Sequence, residues 1–353
     1  LQYLAFFHLL AKIPCVLANG TRDPGIDGVD WMLLRRGVVL AAAALVLCAG
    51  AARAQDYPSR PVLILCGQPA GSGPDTMIRL YADVIGKNVG QRIVVDNRAG
   101  AGGIVAANAL TQAQPDGYTL LIALGGMHTI VPALQHLPFD PINDFEFITL
   151  LYASSGLLLV PAASPAKSFG EFAAYMRSKR GGASYGTPGL GSPAHLMSAM
   201  LADRLGVPMT HIPYKGGGQI IVDLIAGRMD FAFISSVQAK PHVQEGTVRA
   251  LAVGGDRRMD WLPDVPTLAE LGLADVAIQS WFGVAAPKAT PAAVTARIRD
   301  EFIKASNDPV IVKRAADDSV TTMTGSKQEM LRLLAYDYDR LGRAVRGFGI
   351  KGD

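Results

Sequence analysis

Charge and cysteine are both scarce in this sequence. Of its 353 residues 18% are charged and 50% are apolar, with only three cysteines. Cys15 and Cys48 lie in the N-terminal stretch, so the patterned remainder keeps Cys66 alone and no disulfide within it is possible. Lys and Arg total 33 against 30 Asp and Glu. That near balance excludes the basic face of a nucleic-acid binder. His128, His136, His195, His211 and His242 show no zinc-type spacing, so no metal site is expected. Neither the phosphate-loop pattern ending in Gly-Lys-Ser/Thr nor Gly-x-Gly-x-x-Gly occurs, and no cofactor is expected. There is no internal repeat, no low-complexity linker, and no apolar run after residue 54 long enough to span a membrane.

What the N-terminal part does contain is an export signal. Arg35 and Arg36 follow Met32, an apolar run covers 38–46, and Ala52-Arg53-Ala54 supplies small residues at the positions read by signal peptidase. The run is well short of the roughly 20 residues that cross a bilayer. Cleavage after Ala54 is expected, which leaves Gln55 first and places the product in the periplasm. A lipoprotein anchor at Cys48 is disfavoured by the bulky Leu47 before it. Residues 1–31 contain no methionine and are expected to be upstream leader from an early start assignment.

From Pro61 onward, short branched apolar runs alternate with amphipathic stretches, the pattern of an α/β protein. Strands are expected at 62–65, 93–95, 119–122 and 147–150, then at 157–160, 183–185, 211–212, 230–233 and 248–253. Helices are expected at about 74–88, around Ala106, Ala107 and Ala109, and at 168–177, 192–205 and 219–226. Another strand is read at 277–285, with helix beyond it to about Val345. The division this predicts is one discontinuous lobe, 55–156 plus 279–353, and a second lobe, 157–278.

Two glycine-rich corners stand between a strand and a helix. The first, Cys66-Gly67-Gln68-Pro69-Ala70-Gly71-Ser72-Gly73-Pro74-Asp75-Thr76, frees the backbone of Cβ bulk where a helix start offers unpaired N–H groups. That is a seat for an anion, although a tight turn capped by Asp75 would read the same way. The second runs from Tyr185 to His195, where Ser192 suits an N-cap and Pro193 the first helical turn. Ligands of open α/β sheets bind beyond the carboxyl ends of strands, so two such corners facing one another make a clamp. A third segment, 212–218, could line the same cleft; its Lys215 either offsets ligand charge or is simply solvated.

Enzymatic chemistry has one weak candidate, a serine hydrolase using Ser192 and His195. The Gly-x-Ser-x-Gly elbow is missing, because Ala194 stands where its last glycine belongs. No catalytic residue is expected.

In order and spacing, the residues resemble the Bug family of periplasmic receptors, associated with tripartite tricarboxylate transporters. The likeness rests on Tyr57-Pro58-Ser59-Arg60-Pro61, the 69–79 loop and helix, and Asp96-Asn97-Arg98-Ala99-Gly100-Ala101-Gly102-Gly103. It continues through Pro115-Asp116-Gly117-Tyr118-Thr119, the 186–196 corner, Pro213-Tyr214-Lys215-Gly216 and Asp264-Val265-Pro266-Thr267. The resemblance implies a two-lobed periplasmic binding protein fold of type II character, each lobe a mixed, mostly parallel sheet flanked by helices, closing on a small organic carboxylate. It implies a near wall of Gly67, Pro69, Gly71, Ser72, Gly73, Asp75 and Thr76, and an opposing corner of Thr187, Gly189, Gly191, Ser192 and His195. Cys66-Gly67-Gln68 and Gly125-Gly126-Met127 depart from the family pattern and are expected to alter the pocket. The expected ligands are di- or tricarboxylates, aromatic acids or acidic amino acids, and the expected partners are membrane transporter subunits. The protein is expected to be a monomer, and a receptor that signals to a membrane sensor kinase is the alternative to transport.

Overall fold

Apolar runs too short for a buried helix become strands, and after most of those that lead into a helix a serine or glycine starts it. The computed structural model describes residues 57–179 and 181–350. The leader, signal and cleavage site expected in residues 1–54 lie outside them. The chain enters through strand β1 (Val62–Cys66), helix α1 (Gly73–Val89), β2 (Ile93–Asn97), α2 (Ile104–Thr111) and β3 (Thr119–Leu124). Two short helices, α3 (Gly125–Thr129) and α4 (Val131–Leu134), lead to the long strand β4 (Phe145–Ser154). After one residue the chain starts β5 (Gly156–Pro161), then α5 (Phe169–Ser178), β6 (Ala183–Thr187), α6 (Pro193–Leu205) and β7 (Met209–Pro213). There follow α7 (Gly217–Ile225), β8 (Phe231–Ser235), α8 (Ser236–Gln244) and β9 (Val248–Val253). The last part is β10 (Ser280–Pro287), α9 (Ala292–Ser306), α10 (Pro309–Asp317), β11 (Thr321–Thr322) and α11 (Lys327–Gly347).

These strands form two sheets, in the order β11-β4-β10-β3-β1-β2 and β7-β6-β8-β5-β9. The mixed α/β architecture is as expected, but its parallel pairs are confined to β2-β1-β3 and β7-β6-β8. The pairs made by β4, β5, β10 and β11 are antiparallel. The physical reason is topological: parallel neighbours need a helical crossover, whereas β5 follows β4 after one residue and β10 follows β9 through the described residues 254–279 with no α-helix between them, each entering from the other sheet.

Local chemistry explains the helices. Ser72 caps α1 by accepting from the Asp75 amide at 3.3 Å, Pro74 occupies the first turn, and Gly90 ends the helix at φ 66°. Ser192, Pro193 and Gly206 perform the same tasks for α6. Met77, Ile78, Tyr81 and Ile85 bury one face of α1 on the first sheet. The strand read at 277–285 begins later, at Ser280, and α3, α4 and α8 were not read from the pattern: α3 and α4 are about one turn each, and α8 carries Pro241 inside it and buries only Ser236, Val237 and Ala239.

Helix α11 joins the two cores. Met330 and Leu334 in its first half belong to the core of the first sheet, while Leu341 and Val345 pack with the second. A Ser326–Glu329 capping box starts it.

Candidate functional site

The two serine-capped corners meet. Between them lies a cavity of about 120 Å³, lined from the first sheet's side by Gln68, Ser72, Pro74, Leu124, Gly125, Gly126 and Met127. From the second come Gly191, Ser192, Pro193, Ala194, Gly217, Phe233, Ser235 and Gln238. Ser154, Gly156, Ser280, Trp281 and Phe282, where the chain passes between sheets, close its base. Among the described residues, none that lines the cavity carries a charge. The starts of α1, α6, α7 and α8 all border this space, so the partial positive ends of four helices lie around it.

Glycine allows the approach. A Cβ on Gly126 would stand 2.8 Å from the Gly191 carbonyl oxygen and 2.9 Å from Pro193 Cδ. A Cβ on Gly102 would stand 2.8 Å from the Leu190 carbonyl oxygen, and one on Gly73 2.9 Å from Ser235 Oγ. Each of these pairs joins residues on opposite sides of the cleft. The polar link of the first corner to α8 is correspondingly long, Gln238 Nε2 donating to the Gly71 carbonyl at 3.5 Å.

Of the twelve residues expected at the site, Ser72, Gly191 and Ser192 line the cavity and Gly73 abuts Ser235 across it. Pro69 faces Gly216, and Gly67 packs on Gly103. Gly71, at φ 77°, donates its N–H to Asp75 Oδ2 at 2.8 Å. Asp75 is buried behind the loop, where it also accepts from Asn97 at 2.8 Å and Arg79 at 3.0 Å. Burial alone would raise its pKa, but the bonds from Arg79, the Gly71 amide and Asn97 outweigh that and hold the carboxyl below its ordinary value. Asn97 donates as well to the Gln68 carbonyl at 2.9 Å, so one side chain ties β2 to both ends of the loop. Thr76 continues α1, its N–H donating to the Ser72 carbonyl at 2.9 Å.

On the opposing side Thr187 is buried and its hydroxyl lies 2.6 Å from His211 Nε2. The His195 ring stacks on His211 with centroids 4.2 Å apart, and the Gly191 N–H points to His195 Nδ1 at 3.5 Å. Gly189, at φ 115°, offers the carbonyl that accepts from Ser192 Oγ at 2.8 Å. Ser192 Oγ accepts in turn from the His195 amide at 3.2 Å, so this hydroxyl serves the helix cap. Lys215 is exposed and outside the cavity wall. Burial pushes the Cys66 thiol up to about 11, which leaves it a small packing residue.

The pattern did not single out Ser154, Ser235, Gln238, Phe233, Trp281 or Phe282. Ser154 and Ser235 have buried hydroxyls with no partner among the described residues, an uncommon state for polar atoms unless a ligand completes them. A serine at the carboxyl end of a strand was the available signal for both. Among the described residues no cluster of metal-ligating side chains converges, and no described helix is long and apolar enough to cross a membrane.

Known proteins share this architecture. A family model for the tripartite tricarboxylate transporter family receptor matches residues 77–350. The UPF0065 protein of the tcbD-tcbE intergenic region in Pseudomonas sp. (strain P51) is 34% identical over 320 residues, 90% of this chain and 95% of that one. The solved periplasmic binding protein BugD is 28% identical with a TM-score of 0.80, over 84% of this chain and 100% of its own. R. palustris Rpa4515, solved with adipate, is 29% identical with a TM-score of 0.80, over 84% and 99%. This chain therefore belongs to the tripartite tricarboxylate transporter receptors, the Bug-type solute-binding proteins, a family that binds its ligands without transforming them.

Proposed function

We propose that this receptor captures a small organic carboxylate in the periplasm and delivers it to the membrane subunits of a tripartite tricarboxylate-type transporter. The observation that carries the reading is the uncharged cavity bordered by the serine-capped starts of α1 and α6. A helix start contributes about 0.3–1 kcal/mol to a nearby anion when exposed, and up to about 2 kcal/mol when partly buried. Several starts around one cavity suit a carboxylate, which accepts from N–H and O–H donors, better than a cation. The adipate held by Rpa4515 agrees with that class.

Residues 55–156 with 279–353, and 157–278, act as two lobes. The ligand stabilises the closed arrangement because only there do both corners contact it. The near wall and opposing corner act together in this scheme, with the lining serines donating and the residues behind them holding the loops. Calorimetry with the secreted protein against dicarboxylates, tricarboxylates, aromatic acids and acidic amino acids tests the ligand class. Micromolar or tighter binding of at least one acid is expected, and binding of none would overturn the proposal. Mass spectrometry of periplasmic protein is expected to find Gln55 first; an intact signal would count against export. Loss of uptake on deleting the neighbouring transporter genes tests the partnership.

A further inference from the structure

The cavity is apolar over much of its wall. Trp281, Phe282, Met127 and Leu124 come from the first sheet and its short helix, Phe233 from the second sheet and Met197 from α6. Trp281 is the bulkiest and is held on two sides. Its indole N–H donates to Asp337 Oδ2 at 2.9 Å, a buried contact with α11, and Arg340 donates to the other oxygen of that carboxylate at 3.3 Å. A Cβ on Gly125 would stand 2.7 Å from Trp281 Cε2, so the backbone at the end of β3 lies against the ring. The indole cannot swing out without breaking a buried charge-assisted bond.

The polar lining groups are hydroxyls, amides and main-chain N–H groups. They can receive one carboxylate at the capped corners. A second carboxylate would have to lie against the aromatic wall, away from the capped corners, and would be desolvated there without a charged side chain among the described lining residues to offset the loss. An apolar body instead gains by leaving water to pack against the cavity-facing edges of Trp281 and Phe282, which are themselves buried. At about 120 Å³ the cavity is comparable with an apolar cavity of about 150 Å³ that holds benzene.

We propose that the site selects a monocarboxylate with an apolar body, aliphatic or aromatic and about benzoate-sized, and that Trp281 determines this preference with Asp337 as its positioning residue. The inference rests on the receptor reading above and narrows its ligand class.

Titration calorimetry with benzoate, hexanoate, adipate and malate tests it, because hexanoate and adipate differ in little but the second charge. Benzoate and hexanoate are expected to bind at least tenfold more tightly than adipate and malate. Trp281→Leu should shrink that ratio at least fivefold, and Trp281→Phe, which keeps most of the ring, should shrink it less. Asp337→Asn, whose amide oxygen still accepts from the indole, should preserve the ratio, whereas Asp337→Leu should lower it and change the near-ultraviolet tryptophan dichroism. Adipate or malate binding as tightly as hexanoate would overturn the inference while leaving the receptor reading intact. Equal weakening of all four acids in the Trp281 variants would reduce the residue to packing and overturn its selective role. Failure of all four, with binding of another carboxylate from the wider panel, would overturn the inference alone; failure of every carboxylate would overturn both readings.

Discussion

Gly216 faces Pro69 across the cleft so closely that a Cβ on the glycine would stand 2.7 Å from Pro69 Cγ. Gly216 is extended, at φ 177°, so any residue can adopt its backbone, and the constraint is purely the approach of the opposing loop. A proline ring has little freedom to yield.

Gly216→Ala is therefore expected to oppose closure while sparing the separate cores. Overpacking typically costs about 1–3 kcal/mol, which corresponds to a fall in ligand affinity of roughly five- to 150-fold. Gly218→Ala, at a position where a Cβ meets none of the described residues within 4 Å, should leave affinity unchanged. Calorimetry reads both, and small-angle scattering should show the Gly216→Ala variant more open with ligand present.

Asn97→Ala removes the donor shared by Asp75 and the Gln68 carbonyl. Losing such bonds costs about 1–3 kcal/mol, and the freed loop should weaken binding as well. Asp75 contributes through its depressed pKa: that stability is present above its unfolded value and lost as pH falls through the lower folded one. Asp75→Asn should accordingly flatten the acid limb of a melting-temperature profile below about pH 4. An unchanged acid limb would remove Asp75 from the account.

His128 is buried with its ring edge-on to Phe145 and Phe147, both at 5.0 Å, and Nδ1 lies 2.7 Å from the Pro141 carbonyl oxygen, which identifies Nδ1–H as the donor. Burial lowers its pKa to about 4, and the bond to Pro141 opposes that only in part. Protonation thus favours the unfolded chain. The stabilisation is complete above the unfolded value near 6.5 and declines as pH falls towards 4. The decline is at most about 1.4 kcal/mol per pH unit. His128→Gln should lower stability at pH 8 yet show less loss between pH 6.5 and 4, measured by urea denaturation. An identical slope in both proteins would refute the assignment.

Ser192→Ala removes the cap of α6 and one of the hydroxyls in the cavity wall. A lost serine cap costs about 1 kcal/mol, so a modest drop in melting temperature is expected together with weaker carboxylate binding. A change in stability without any change in binding would confine Ser192 to the helix start.

Much of this organisation is legible in the residues. Ser72, Pro74 and Gly90 mark the limits of α1, and Ser192, Pro193 and Gly206 those of α6, because capping is decided by neighbours along the chain. Both corners could be recognised as helix starts for the same reason. The hydroxyls of Ser154 and Ser235 carried only the weaker signal of standing at a strand's carboxyl end, since their chain neighbours do not reveal which side of a sheet end faces another lobe.

Trp281 and Phe233 are the clearest case of what sequence leaves undecided. A large apolar side chain in a strand has the same pattern whether it fills a core or walls a cavity, because hydrophobic burial has no direction. The local chain alone determined strands, helix starts and the glycines that permit close approach. Long-range pairing of β10 with β3 and β4, and the reach of Asp337 from α11, decided that Trp281 borders the cavity. Those contacts join residues far apart in the chain, and only the packed structure brings them together.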